Sequence, residues 1–260
     1  HVGCIMKNRD AMNDILDFAA DYATYMLGSG VHTSRVIRCS QRIGVSQDVE
    51  IYFTTFQKST VLSVRDQESH EVITRVVPIP NLPISFHRNA DLGALSWDAV
   101  DEGLSLDEIR KRFQLLIVKP RIDSRLVLLL VGFANASFCK LFGGDWIAIA
   151  IVFLATLVGF CARQQMQKRG LNHFLVFMLS AFAASLVAST SLLLHCTSEI
   201  ALATSVLFLV PGVPLINGIV DIVEGYILIG ISRLVNAALL IFCIAMGLSA
   251  TLMMVKDDLL

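Results

Sequence analysis

The chain has 260 residues, 55% of them hydrophobic, with a mean hydropathy of +0.65 and a formal net charge of −1. Such apolar content excludes an ordinary soluble domain, and the near-neutral charge offers no footing for nucleic acid. Charge is also unevenly spread, with 31 of the 43 Asp, Glu, Lys and Arg residues falling in 1–125. This division predicts an N-terminal α/β domain over 1–122 and a helical membrane domain over 123–260.

In the first half, residues 10–27 carry Ile15, Ala19, Tyr22, Ala23 and Met26 at helical spacing, with Asp14, Asp17 and Asp21 opposite, which predicts an amphipathic helix. Gly28-Ser29-Gly30 ends it. A second helix is expected over 33–43, with Arg35, Arg38 and Arg42 on one face. That face is either solvated or an anion site. Residues 48–56 and 59–65 alternate in the β manner around a turn at Gln57-Lys58, and 71–79 predicts a third strand closed by Pro78 and Pro80. Residues 84–103 read as helical. Ser105 to Glu108 forms a capping box that opens a helix running to about Leu116.

The second half contains four long apolar runs, 126–142, 146–162, 174–194 and 234–255, each close to the ~20 residues needed to cross a bilayer. The first long apolar run thus begins after residue 125, so no signal peptide is expected in this chain. The third run is rich in Ala and Ser, which suits close helix packing. Between the third and the last, the apolar run 200–210 is only half a span. It meets Pro211-Gly212-Val213-Pro214 and is followed by a polar-marked helix over 215–232. Either the fourth of about five spans is broken within the membrane, or a span ends near Ile216 and 217–232 lies on the membrane surface. Lys119, Arg121 and Arg125, then Arg163, Lys168 and Arg169, place the α/β domain in the cytoplasm by the distribution of basic residues. The loop with His195 and Glu199 is then outside, as are Lys256, Asp257 and Asp258. Lys140 is discordant and would snorkel to the outer face.

The six cysteines (Cys4, Cys39, Cys139, Cys161, Cys196, Cys243) are scattered, with no His at ligand spacing, so neither a metal nor another cofactor is expected. His32, His70 and His87 lie in separate segments. A triad with Ser29 or Ser34 and an aspartate can be drawn, but no nucleophile elbow supports it.

The most informative stretch is 211–233, PGVPLINGIVDIVEGYILIGISR. Pro211, Gly212, Pro214 and Gly218 mark a helix break, and Asn217, Asp221 and Glu224 fall at i, i+4 and i+7 on one helical face, with Arg233 beyond. Acids in an apolar segment face a cavity or a protein interior rather than lipid. A broken membrane helix bearing polar groups is the pattern of a transport site. Asp221 and Glu224 are therefore expected to titrate as a proton-sensitive pair, with Asn217 meeting substrate and Arg233 pairing with Glu224, binding an anion or marking the cytoplasmic interface. Gly218 and Gly225 share a face and suit either helix packing or a substrate path. On another reading the acids face the cytoplasm from a surface helix.

On these residues, together with LGSGVHTSRVIRCSQRIGV, VEIYFTTFQKSTVLSV and VVPIP, the chain resembles the N-terminal part of the threonine/serine exporter family over nearly its whole length. The resemblance implies a cytoplasmic N-terminal domain, about five spans in the bacterial inner membrane, and a second membrane module carried on a separate small membrane protein. It also implies export of threonine, serine or dicarboxylates such as succinate. A homo-oligomer fits as well, and no nucleic-acid partner is expected. Two other classes stand beside the exporter: a membrane-anchored hydrolase, and a regulatory or scaffold subunit whose pore lies in the partner.

Overall fold

The computed structural model describes residues 2–119, 122–194 and 196–256, with side chains over 9–255 of these. Arg121, His195, Asp257 and Asp258, and the side chains of Cys4 and Lys256, lie outside the described residues. The chain divides into two compact units. The first is His1–Pro120 with Val213–Leu234, and the second is Arg121–Gly212 with Val235–Leu260. The segment Val213–Leu234, expected within the membrane domain, thus groups with the N-terminal residues.

In the first unit, helix α1 spans Val2–Gly28, α2 Thr33–Ser46, α3 Phe86–Asp101 and α4 Leu106–Val118. Strands β1 (Val49–Thr55), β2 (Ser59–Asp66) and β3 (Val72–Pro78) form an antiparallel sheet in the order β1-β2-β3. The register pairs Ile51 with Val64 and Val64 with Ile73. The alternation read from sequence therefore becomes one apolar face, on which Ile51, Leu62 and Val64 are buried. β3 is one of the two edge strands and ends at Pro78, which cannot donate to a further ladder. The sheet face closes against α1, whose Met12, Leu16, Tyr22 and Met26 are fully buried, and the same core takes in Val36 and Ile43 of α2, Leu92 of α3 and Ile109 of α4. The Tyr22 hydroxyl, buried with its ring, donates to the Leu92 carbonyl at 2.6 Å. The capping box forms as expected, Glu108 accepting from the Ser105 N–H at 3.0 Å.

The second unit is helical. It holds α5 (Ser124–Leu141), α6 (Trp146–Lys168), α7 (His173–Ala188, continued by a 3₁₀ turn to Leu193), the short α8 (Ser198–Ser205) with a 3₁₀ turn at Leu207–Leu209, and the greater part of α10 (Ile227–Lys256). Helix α9 (Gly212–Val223) lies between α8 and α10 in the chain. Among the described residues, four helices are long and apolar enough to cross a membrane: Ser124–Leu141, Trp146–Lys168, His173–Leu193 and Ile227–Val255. The count is five if Ser198–Leu209 and Gly212–Val223 together make one broken span. Helical spans are the form a lone segment must take in hydrocarbon, where every backbone group needs an internal partner.

Small residues let the second unit's helices approach closely. A side chain at Gly159 of α6 would come within 2.7 Å of Ala184 Cβ on α7, and one at Gly247 of α10 within 2.3 Å of the Met178 carbonyl oxygen. Polar bridges add to this packing. Buried Asn135 of α5 donates to Thr156 Oγ1 at 2.7 Å and to the Thr204 carbonyl at 3.0 Å, and Ser185 meets Thr251 at 2.6 Å. Asn135→Ala is expected to cost about 1–2 kcal/mol, the usual worth of such interhelical bonds. Unfolding of the detergent-solubilised chain by a denaturing surfactant would measure it. At the rim, Lys140 places its ammonium 4.9 Å over the ring of exposed Trp146.

Candidate functional site

The break expected at Pro211 forms one residue earlier. Val210 is extended (φ −57°, ψ 125°), because a residue before proline is pushed out of the helical region. Pro214 then falls in the first turn of α9, where its missing N–H costs nothing. The far end of α9 closes in a Schellman turn. Gly225 adopts φ +91°, its N–H reaches the Ile222 carbonyl at 3.0 Å, and the Tyr226 N–H reaches that of Asp221 at 2.7 Å. Gly225 thus serves the turn and not a shared face with Gly218. Gly218 serves packing, since an added Cβ would lie 2.9 Å from Leu234 Cγ and 3.1 Å from the Gly230 carbonyl oxygen.

Asn217, Asp221 and Glu224 do share a face, and that face is occupied. Asn217 Nδ2 donates to the Gly30 carbonyl at 2.7 Å. Asp221, wholly buried, accepts from the Thr33 N–H at 2.8 Å and from the Thr33 hydroxyl at 3.2 Å. Arg233 Nη1 lies 2.9 Å from Asp221 Oδ2, off hydrogen-bond alignment, so charge holds the pair. Arg233 Nη2 also donates to the Val31 carbonyl at 3.3 Å. Arg233 is therefore paired with Asp221, whereas Glu224 accepts from the Ser34 hydroxyl and lies 3.7 Å from Arg38. Each carboxylate has its own hydroxyl donor and its own arginine.

All four residues converge on one short segment, 30–34, which turns the chain from α1 into α2. Gly30 supplies the positive φ (+89°) that this turn needs. His32 stands at the N-cap of α2 without a side-chain cap bond. Asp221 supplies a missing acceptor to the Thr33 N–H, and Glu224 adds its charge through the Ser34 hydroxyl, at the end where the helix dipole favours negative charge. Burial holds the His32 imidazole below its ordinary range. The carboxylates of Glu224 and Asp221 act against that shift, and the guanidinium groups of Arg38 and Arg35 add to it. The arginine face of α2 is likewise engaged, with Arg42 stacked 3.8 Å over Trp97 and Arg35 donating to the Asn89 carbonyl at 3.4 Å. The serines considered as nucleophiles are bound elsewhere, Ser29 to Asn89 and Ser34 to Glu224.

The converging contacts of segment 30–34 were not legible before the structure, because nothing in the sequence names the partner of a buried acid. The one available signal was His32, an unusual residue to begin a helix.

An α/β domain joined to several apolar, membrane-length helices defines a multi-span integral membrane protein. Its sequence matches, over residues 17–255, the model of the family described as "Putative threonine/serine exporter", and the chain belongs to that family. It is 30% identical over 229 residues to the "Probable succinate transporter subunit YjjP" of Klebsiella aerogenes, covering 86% of this chain and 88% of the relative. It is also 30% identical over 226 residues to the protein of the same name from Escherichia coli, with the same coverage. The "Probable threonine/serine exporter" of Mycobacterium tuberculosis is 24% identical over 246 residues, which are 92% of this chain and 46% of that longer protein. No solved structure matches the chain.

Proposed function

We propose that the chain is one subunit of a secondary transporter that exports small carboxylate-bearing metabolites, either threonine- and serine-like amino acids or dicarboxylates such as succinate. The observation that carries this reading is the 30% identity, over 86% of the chain, to proteins named as succinate transporter subunits. The longer mycobacterial relative supports a second component. More than half of it has no counterpart here, and a separate small membrane protein would supply that part. The complex sits in the bacterial cytoplasmic membrane with the α/β domain in the cytoplasm, as the basic residues beside the first and second spans favour. A homo-oligomer of the chain is compatible with this arrangement.

In this proposal transport is coupled to protons. Protonating Asp221 would remove the charge that holds Arg233, and protonating Glu224 the charge that faces Arg38. Either event loosens the hold of α9 on segment 30–34. A second reading, in which the chain is a regulatory subunit and the pore lies in its partner, is favoured by one observation. Asn217, Asp221, Glu224 and Arg233 are all spent on protein groups.

Vesicles loaded with labelled serine, threonine or succinate test both readings. They would hold the chain with or without its small partner, with or without an imposed pH gradient. Gradient-driven efflux of one substrate is expected only when both proteins are present. Glu224→Gln, at a half-exposed position, is expected to lose the gradient-driven part while the complex stays assembled. Full activity of that variant would remove Glu224 from the coupling role, and no efflux of any of the three would remove the substrate assignment.

A further inference from the structure

The face of α9 opposite Asp221 is apolar and uncovered within the structure. Ile216, Ile219 and Val223, at i, i+3 and i+7, are 64%, 56% and 80% exposed, and Leu228 at the start of α10 is 81% exposed. An apolar stripe of this size is seldom left to water. Two observations say what covers it.

The first is continuity. α9 ends three residues before α10, which is itself long and apolar enough to cross a bilayer. The second is what lies on the other face. Asn217, Asp221 and Glu224 are packed on segment 30–34 and on Arg38, a half-exposed cation in the second turn of α2. A helix with such a domain against its side cannot run through hydrocarbon, because the domain's charges and sheet edge would enter with it.

We propose that α9 lies in the plane of the membrane interface, with its Ile216, Ile219 and Val223 face in the acyl chains and its Asn217, Asp221 and Glu224 face turned to segment 30–34. This is the arrangement of an amphipathic interfacial helix, whose apolar face sinks about 5–10 Å past the headgroup boundary. The ligand of the surface is the lipid bilayer itself. The inference does not depend on which metabolite is exported.

Depth-dependent fluorescence quenching tests it on the full chain in phosphatidylcholine vesicles containing lipids brominated at a shallow or a deep acyl position. Tryptophan would be placed at 216, 219 or 223 by Ile216→Trp, Ile219→Trp and Val223→Trp, with Val76→Trp on the sheet edge as control, all with Trp97→Phe and Trp146→Phe. The three α9 sites are more than half exposed, so the larger ring is accommodated. An in-plane helix gives quenching at all three sites, strongest with the shallow bromines and at one common depth, and none at 76. A helix that crosses the membrane gives depths differing by about 10 Å between 216 and 223, from seven residues at ~1.5 Å each, and overturns the proposal. Blue-shifted emission that neither lipid quenches would mean that a protein covers the face, and overturns it equally.

Discussion

Asp221→Ala is expected to destabilise the chain by about 3–5 kcal/mol, the usual penalty for removing one member of a buried ion pair. The Arg233 side chain is only 15% exposed and Asp221 is wholly buried, so the guanidinium left behind has little access to water. The Thr33 N–H and hydroxyl lose their acceptor in the same change. Asp221→Asn should cost less, because the amide oxygen still accepts from the first turn of α2 while the charge is gone. The decisive comparison is Asp221→Leu with Arg233→Met, which removes both charges and fills similar volume. It should recover much of the loss, since desolvation of two ions offsets most of their attraction. Surfactant-induced unfolding of the solubilised chain would give all three values. A cost below about 1 kcal/mol for Asp221→Ala would mean that water reaches Arg233, and that α9 is not held where it lies.

How much of this was legible beforehand differs from residue to residue, for physical reasons. Membrane spans announce themselves, since hydrocarbon admits only long apolar helices, and three of the four long runs fall within two residues of the observed starts. The hairpin at 56–58 and the strand end at Pro78 were readable because turn and ladder chemistry are local. The alignment of Asn217, Asp221 and Glu224 was also local, being a matter of helical spacing. Their partner was not local. Thr33 is 188 positions from Asp221 in sequence, and helical spacing left a cavity, a protein interior and the cytoplasm all open as the place for these acids. The two glycines show the same limit. Gly218 and Gly225 look equivalent by period, yet only the backbone reveals that one meets α10 and the other turns the chain. The grouping of Val213–Leu234 with the N-terminal residues follows from these contacts, and no composition boundary could have marked it.

Gly247→Leu is expected to give the second large effect, about 3 kcal/mol of lost stability, at the upper end for an overpacked core. Even a methyl group at this position would sit 2.3 Å from the Met178 carbonyl oxygen and 2.9 Å from the Phe182 amide nitrogen. Both are backbone atoms of α7, so no rotamer change makes room and the two helices must separate. Separation also stretches the Ser185–Thr251 hydrogen bond, which lies one turn further along α10. The apolar contacts of Phe177 and Ala181 with Leu240 and Ile244 would loosen in the same movement. Gly212→Ala is the matched control, because an added methyl there meets nothing within 4 Å and should change stability by no more than a few tenths of a kcal/mol. If Gly247→Leu unfolded at the same surfactant concentration as Gly212→Ala, the close α7–α10 approach would not exist in the folded protein. The difference between them isolates the contact from any general dislike of side chains at glycine positions. In a bilayer, where lipid is as apolar as leucine, that contact of backbone on backbone is a main source of helix association.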